Sequence, residues 1–122
     1  MDGTGARFPR SVFGVGEEPD PRFSLANERT FLAWIRTSLA LSAAGVALEA
    51  LDVPVARGLR LACALLLVCL GVLAPVQAWW GWAATERAMR CRRPLPSPLL
   101  SPLLAVGTLV AGVLLLLGLL LR

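Results

Sequence analysis

Three long apolar runs, about Phe31 to Leu51, Leu59 to Ala83 and Leu99 to Leu121, constrain this chain more than any other feature. Each is around 20 residues or longer, and at about 1.5 Å per helical residue each reaches across a hydrocarbon core of roughly 30 Å. A bilayer interior offers no water to the backbone, so a single spanning segment must be a helix. The expectation is therefore an all-α integral membrane protein. Residues 23–122 form one three-transmembrane-helix domain, and residues 1–22, rich in Gly and Pro with mixed charges and no sustained period, form a flexible tail. With 57% hydrophobic residues, the chain lies above the roughly 45–50% of soluble domains.

The first helix is expected to start near Ser24 or Asn27, either of which suits an N-cap, with Glu28 in the first turn. Asp52-Val53-Pro54 ends that span. The second span contains Pro75, expected to kink it, and finishes in Trp79, Trp80 and Trp82, an aromatic belt of the kind found at membrane interfaces. The first span resembles a signal peptide in its apolarity. It nevertheless follows a long tail, holds Arg36 and precedes two more spans, so an uncleaved signal-anchor is expected.

Orientation follows from arginine placement. Arg7, Arg10, Arg22 and Arg29 precede the first span, and Arg87, Arg90, Arg92 and Arg93 lie between the second and third. Only Arg57, Arg60 and Arg122 fall on the other side. Eight against three places the N-terminus in the cytoplasm and the C-terminus outside.

Several function classes drop away. Histidine and tyrosine are absent, which removes the commonest general acid/base and the phenolic alternative. Cys63 and Cys69 are six apart and diverge on a helix, and Cys91 lies in a short basic loop, so no metal site is expected. No phosphate-binding loop or nucleophile constellation is present, and neither an enzyme nor a cofactor is expected. The net charge of +4 comes from arginine alone. Those arginines flank apolar runs rather than a basic helix or aromatic sheet, so lipid bilayer, anionic lipids or a polyanion are expected partners and nucleic acid is not.

The informative constellation is Arg22, Arg29 and Arg36, spaced by seven residues. Seven residues make almost two helical turns, so Arg29 and Arg36 share one face with a drift of about 20° per step, and Arg22 joins them only if the helix extends back that far, which Pro21 would permit. Ala33, Ala40, Ala43, Ala44 and Ala47 lie on the same face. Small residues let another helix approach closely or leave room for a narrow lumen. An arginine at mid-bilayer costs about 2.5–3.5 kcal/mol on insertion scales, which Arg36 avoids either by snorkelling to the headgroups or by facing a basic vestibule. Ser38, Ser42, Gly45 and Glu49 form a second stripe, expected to pack against another helix, and Thr108 and Gly112 form a small-xxx-small pair in the third span. Beyond the second span, Glu86 and Arg90 are spaced for an i, i+4 pair. Arg29 and Arg90 also suit a cytoplasmic basic ring built when several subunits assemble.

The stretch Asn27-Glu28-Arg29-Thr30-Phe31, inside Phe23–Thr37, resembles the YidH-type bacterial inner-membrane proteins, a family labelled a domain of unknown function. The likeness extends back through Gly16–Arg22 and reappears at Glu86–Arg90 and Pro94–Pro96. The same three-helix domain is similar to the membrane part of the vacuolar transporter chaperone complex, a polyphosphate polymerase. That resemblance implies channel-mouth positions for Arg22 and Arg29, and matches Arg87 or Arg90 to the basic residue after the second span. It does not bring the polymerase, which belongs to a separate soluble domain. Two functions are thus expected: a homo-oligomeric or accessory membrane subunit with a basic vestibule for anions or polyanions such as polyphosphate, or a structural scaffold without conduction.

Overall fold

The computed structural model describes residues 7–97 and 100–121. The first six residues of the expected tail, Leu99 at the head of the third run and Arg122 in the orientation count lie outside the described residues. Helix α1 covers Arg10–Phe13, α2 Pro21–Ala50, α3 Arg57–Arg90 and α4 Leu100–Leu121, with no strand among the described residues. The last three helices are long and apolar enough to cross a membrane.

Two of the helices overrun their apolar stretches. Helix α2 begins at Pro21, not near Ser24 or Asn27: Pro21 occupies the first turn, and the Asp20 carboxylate accepts from the Arg22 amide at 2.9 Å. Ser24 and Asn27, the expected caps, instead bond across to α3. Helix α3 continues past Ala83 to Arg90, and Arg87 and Arg90 in its last turn complement the negative end of its dipole. At about 1.5 Å per residue, α2 and α3 reach roughly 45 and 50 Å, so their shared end projects beyond a 30 Å hydrocarbon layer.

Helix α3 is the central element. It packs against α2 along one side and α4 along another, while the backbones of α2 and α4 do not come close to each other. The α2 seam is the expected small polar stripe. Ser38 Oγ donates to the Gly71 carbonyl at 2.6 Å, and both residues are buried. A Cβ on Gly71 would lie 2.3 Å from Ser42 Oγ and 3.0 Å from the Ser38 carbonyl oxygen, so only glycine permits this approach. On the α4 side, Cys63 is fully buried and its thiol donates to the Ala111 carbonyl at 3.4 Å. Leu41, Leu67 and Leu70 complete the core around that contact.

At the far end, Asp52 turns the chain with a φ of 50°. Arg60 binds Asp52 at 2.7 Å and Glu49 at 3.2 Å, and the Ala56 amide donates to the Gly118 carbonyl at 3.1 Å. These bonds hold the turn and the end of α4 together.

Gly71→Val inserts atoms where backbone and Ser42 already stand, and overpacking of this kind costs about 1–3 kcal/mol. Gly112, with open space around it, accepts the same change without loss of fold stability. Thermal unfolding of the two variants in detergent checks the contrast.

Candidate functional site

The polar groups concentrate at the end where α2 begins and α3 finishes. Glu86 is only 3% exposed and accepts from Ser24 Oγ at 3.0 Å and Asn27 Nδ2 at 3.4 Å. Asn27 Nδ2 also donates to the Trp82 carbonyl at 3.1 Å. A buried carboxylate is costly without hydrogen bonds, and these come entirely from α2. The trio therefore clamps α2 to α3.

The expected Glu86–Arg90 pair does not form. Arg90, also 3% exposed, turns to the segment before α2. Its Nε donates to the Val15 carbonyl at 2.8 Å, Nη2 to the Phe13 carbonyl at 3.0 Å, and Nη1 to Glu18 at 2.8 Å. The physical reason is competition: acceptors from outside the helix enclose the guanidinium, whereas an i, i+4 surface pair gives only a few tenths of a kcal/mol.

Residues Arg7–Asp20, expected as part of a flexible tail, thus form a strap over the end of α3. Val12 of the strap is fully buried, and the Phe13 ring meets Trp82 at an angle of 57° with ring centroids 5.9 Å apart. The Glu17 amide donates to the Arg90 carbonyl at 2.9 Å. Gly16 makes this approach possible: its φ is +60°, and a Cβ there would lie 2.2 Å from the Arg90 carbonyl oxygen. Arg87 Nε donates to the Ser11 carbonyl at 3.1 Å. Glu18 also pairs with Arg7, and its two arginines, Arg90 first, hold its carboxyl below the ordinary carboxylate range.

The sequence-derived arginines therefore separate. Arg90 is enclosed and Arg87 is half-buried under the strap, so neither stands open as a member of a basic ring. Arg22 is exposed and pairs with its own neighbour Asp20 at 2.8 Å. Arg29 and Arg36 are exposed and meet no acceptor among the described residues. At 100° per residue, their face lies roughly 150° around α2 from the buried Asn27, Ser38, Leu41 and Gly45. Ala33, Ala40, Ala43 and Ala44 are exposed on that same face. The family-motif residues divide in the same way: Asn27 faces inward, while Glu28, Arg29 and Thr30 are exposed and Phe31 is half-buried. The strap and the Ser24–Asn27–Glu86 clamp escaped sequence reasoning. The Val12-Phe13 pair was their one signal, too short to give a period.

Comparison with known proteins gives consistent matches. The model of a domain of unknown function, DUF202, matches residues 22–88. Inner membrane protein YidH of Escherichia coli is 50% identical over 84 residues, covering 67% of this chain and 72% of the relative. An uncharacterised protein of Mycobacterium tuberculosis is 48% identical over 100 residues, covering 79% of this chain and 80% of the relative. No solved structure gives a significant match. The DUF202 stretch contains the whole clamp and stops short of Arg90, and the strap lies outside it.

Two outcomes follow for this end of the molecule. Asn27→Leu leaves Glu86 with a single donor and should destabilise the protein by about 1–3 kcal/mol, read from thermal unfolding beside Thr30→Val as a control. Because the Glu18 pKa is lowered by folding, its contribution is present above the unfolded value of about 4.3 and is lost as pH falls through the lowered one. Hydrogen exchange of residues 10–18, corrected for intrinsic rates, should therefore stay slow near neutral pH and accelerate in acid. Glu18→Gln should show the faster exchange already at neutral pH.

Proposed function

The chain belongs to the DUF202 family of unknown function, and from that premise we propose that it is a multi-pass bacterial inner-membrane subunit. It self-associates so that α2 presents a basic vestibule to anions or polyanions at the cytoplasmic side. The observation that carries this reading is the pair Arg29 and Arg36, exposed and without an acceptor, on a small-residue face directed away from α3. Charge turned to hydrocarbon is costly, and a second helix or a wet lumen on that face removes the cost. Arg29 and Arg36 lie about 10 Å apart along α2, a rise over which a chain of phosphates offers successive charges. Arg22 is paired with Asp20 and Arg87 is held under the strap, so the row offered to an anion consists of Arg29 and Arg36. Arg90 is spent on the strap and takes no part. The arginine excess at this end supports a cytoplasmic N-terminus. In this reading the protein needs no cofactor, catalyses no reaction and binds no nucleic acid.

A scaffold role without conduction has its own support. The Ser38/Ser42/Gly45 seam is consumed within the chain, but Thr108 is exposed and Gly112 stands in open space, which leaves that pair of α4 available to a helix of another protein.

Native mass spectrometry of the full chain in nanodiscs, with and without short-chain polyphosphate, separates the two. The vestibule predicts a defined oligomer that retains polyphosphate, with retention falling at least about tenfold in Arg29→Ala/Arg36→Ala. A monomer or dimer indifferent to polyphosphate, or an assembled double variant that still retains it, overturns the vestibule and leaves the scaffold.

A further inference from the structure

One cavity is not used by anything described above. It has a volume of about 600 Å³ and lies between the first turns of α2, residues 77–85 of α3, residues 95–97 and Ser101 of α4. It exists because α3 continues beyond the level where α4 begins, while the backbones of α2 and α4 stay apart. Phe31, Trp34 and Trp80 give it aromatic walls. Trp80 belongs to the aromatic belt, so the cavity sits at the depth where glycerol esters and headgroups meet the acyl chains.

Its polar lining is divided: Asn27 and Thr30 are bonded within the fold, and four other polar side chains are not. Gln77, Thr85, Ser97 and Ser101 face the cavity, and none has a hydrogen-bond partner among the described residues. Thr30, also on the cavity wall, and Thr108 elsewhere show the alternative on a helix, donating to the carbonyl four residues back at 3.2 and 2.7 Å. No charged side chain lines the cavity among the described residues. Aromatic walls with a few convergent hydroxyl and amide groups at the interface make the chemistry of an amphiphile site. The lack of an arginine argues against a headgroup with net charge.

We infer that this cavity binds the glycerol-ester and headgroup region of one net-neutral bilayer phospholipid, of the phosphatidylethanolamine type. Gln77, Thr85, Ser97 and Ser101 supply donors to its ester and phosphate oxygens, and its acyl chains leave along the exposed apolar sides of α2 and α4. The cavity-lining side of α2 lies about 120° from the arginine face, so the site and the vestibule stand or fall separately.

The test uses the full chain in nanodiscs of equal phosphatidylethanolamine and phosphatidylglycerol, released and weighed by native mass spectrometry. Wild type should keep about one phosphatidylethanolamine per chain. Ala26→Trp, on an exposed cavity-lining position, should lower that retention about tenfold without changing the unfolding midpoint. Thr85→Val/Ser101→Ala, which keeps the volume near that of wild type, should lower it in part. Retention of no lipid by wild type, or equal retention by wild type and Ala26→Trp, overturns the inference. Preferential retention of phosphatidylglycerol also overturns it, since that places the lipid against the arginines.

Discussion

Everything else in this molecule depends on how closely α2 and α3 approach at Ser38 and Gly71. In hydrocarbon, apolar contact alone gives little preference for a neighbouring helix over a lipid tail, so small residues and interhelical hydrogen bonds must select the partner. Gly71 removes the side chain that would hold the helices apart, and Ser38 bonds to the carbonyl thereby uncovered, at 2.6 Å. This contact sets the register in which Ser24 and Asn27 meet Glu86 nearer one end and Glu49 meets Arg60 at the other. Helix α4 is then placed on the remaining side of α3, through Cys63 and Ala111, without any backbone contact to α2.

The arginines show how one residue type takes two fates within a short distance. Arg90 is surrounded by carbonyls and a carboxylate from its own chain, so its charge serves the fold. Arg29 and Arg36 have no such acceptors among the described residues and lie on a face that the fold leaves uncovered. A basic count by sequence alone adds these residues together. The structure separates those already neutralised from those with charge to offer. Only the second kind can contribute to binding an anion, which is why the vestibule proposed here is built on α2 and not on the end of α3.

The parts legible in the sequence were those written as long patterns. Three apolar runs gave three long helices, and the Ser38/Ser42/Gly45 stripe gave the α2–α3 seam, because both signals repeat over many residues. Short-range cues failed where long-range partners compete. Ser24 and Asn27 are good caps by local chemistry, yet each bonds to α3, and Asp20 caps α2. Glu86 and Arg90 have the spacing of an ion pair, but partners far along the chain reach each of them first. The strap was hidden for a related reason: an α1 of four residues has no periodicity, and its docking rests on single contacts made by Val12, Phe13 and Gly16.

That division also bears on where function resides. Residues 22–88, which match DUF202, hold the seam, the clamp and the exposed arginines. The strap and α4 fall outside this stretch and attach to α3 on surfaces that the α2–α3 pair already provides. The positions that could vary without disturbing the pair are thus the strap's acceptors and the α4 seam. Arg29 is different, because neither packing nor a bond within the fold accounts for an arginine at its place. Its charge is therefore free to meet whatever lies against that face at the end of α2, lipid headgroups and water included, while the fold itself makes no use of it.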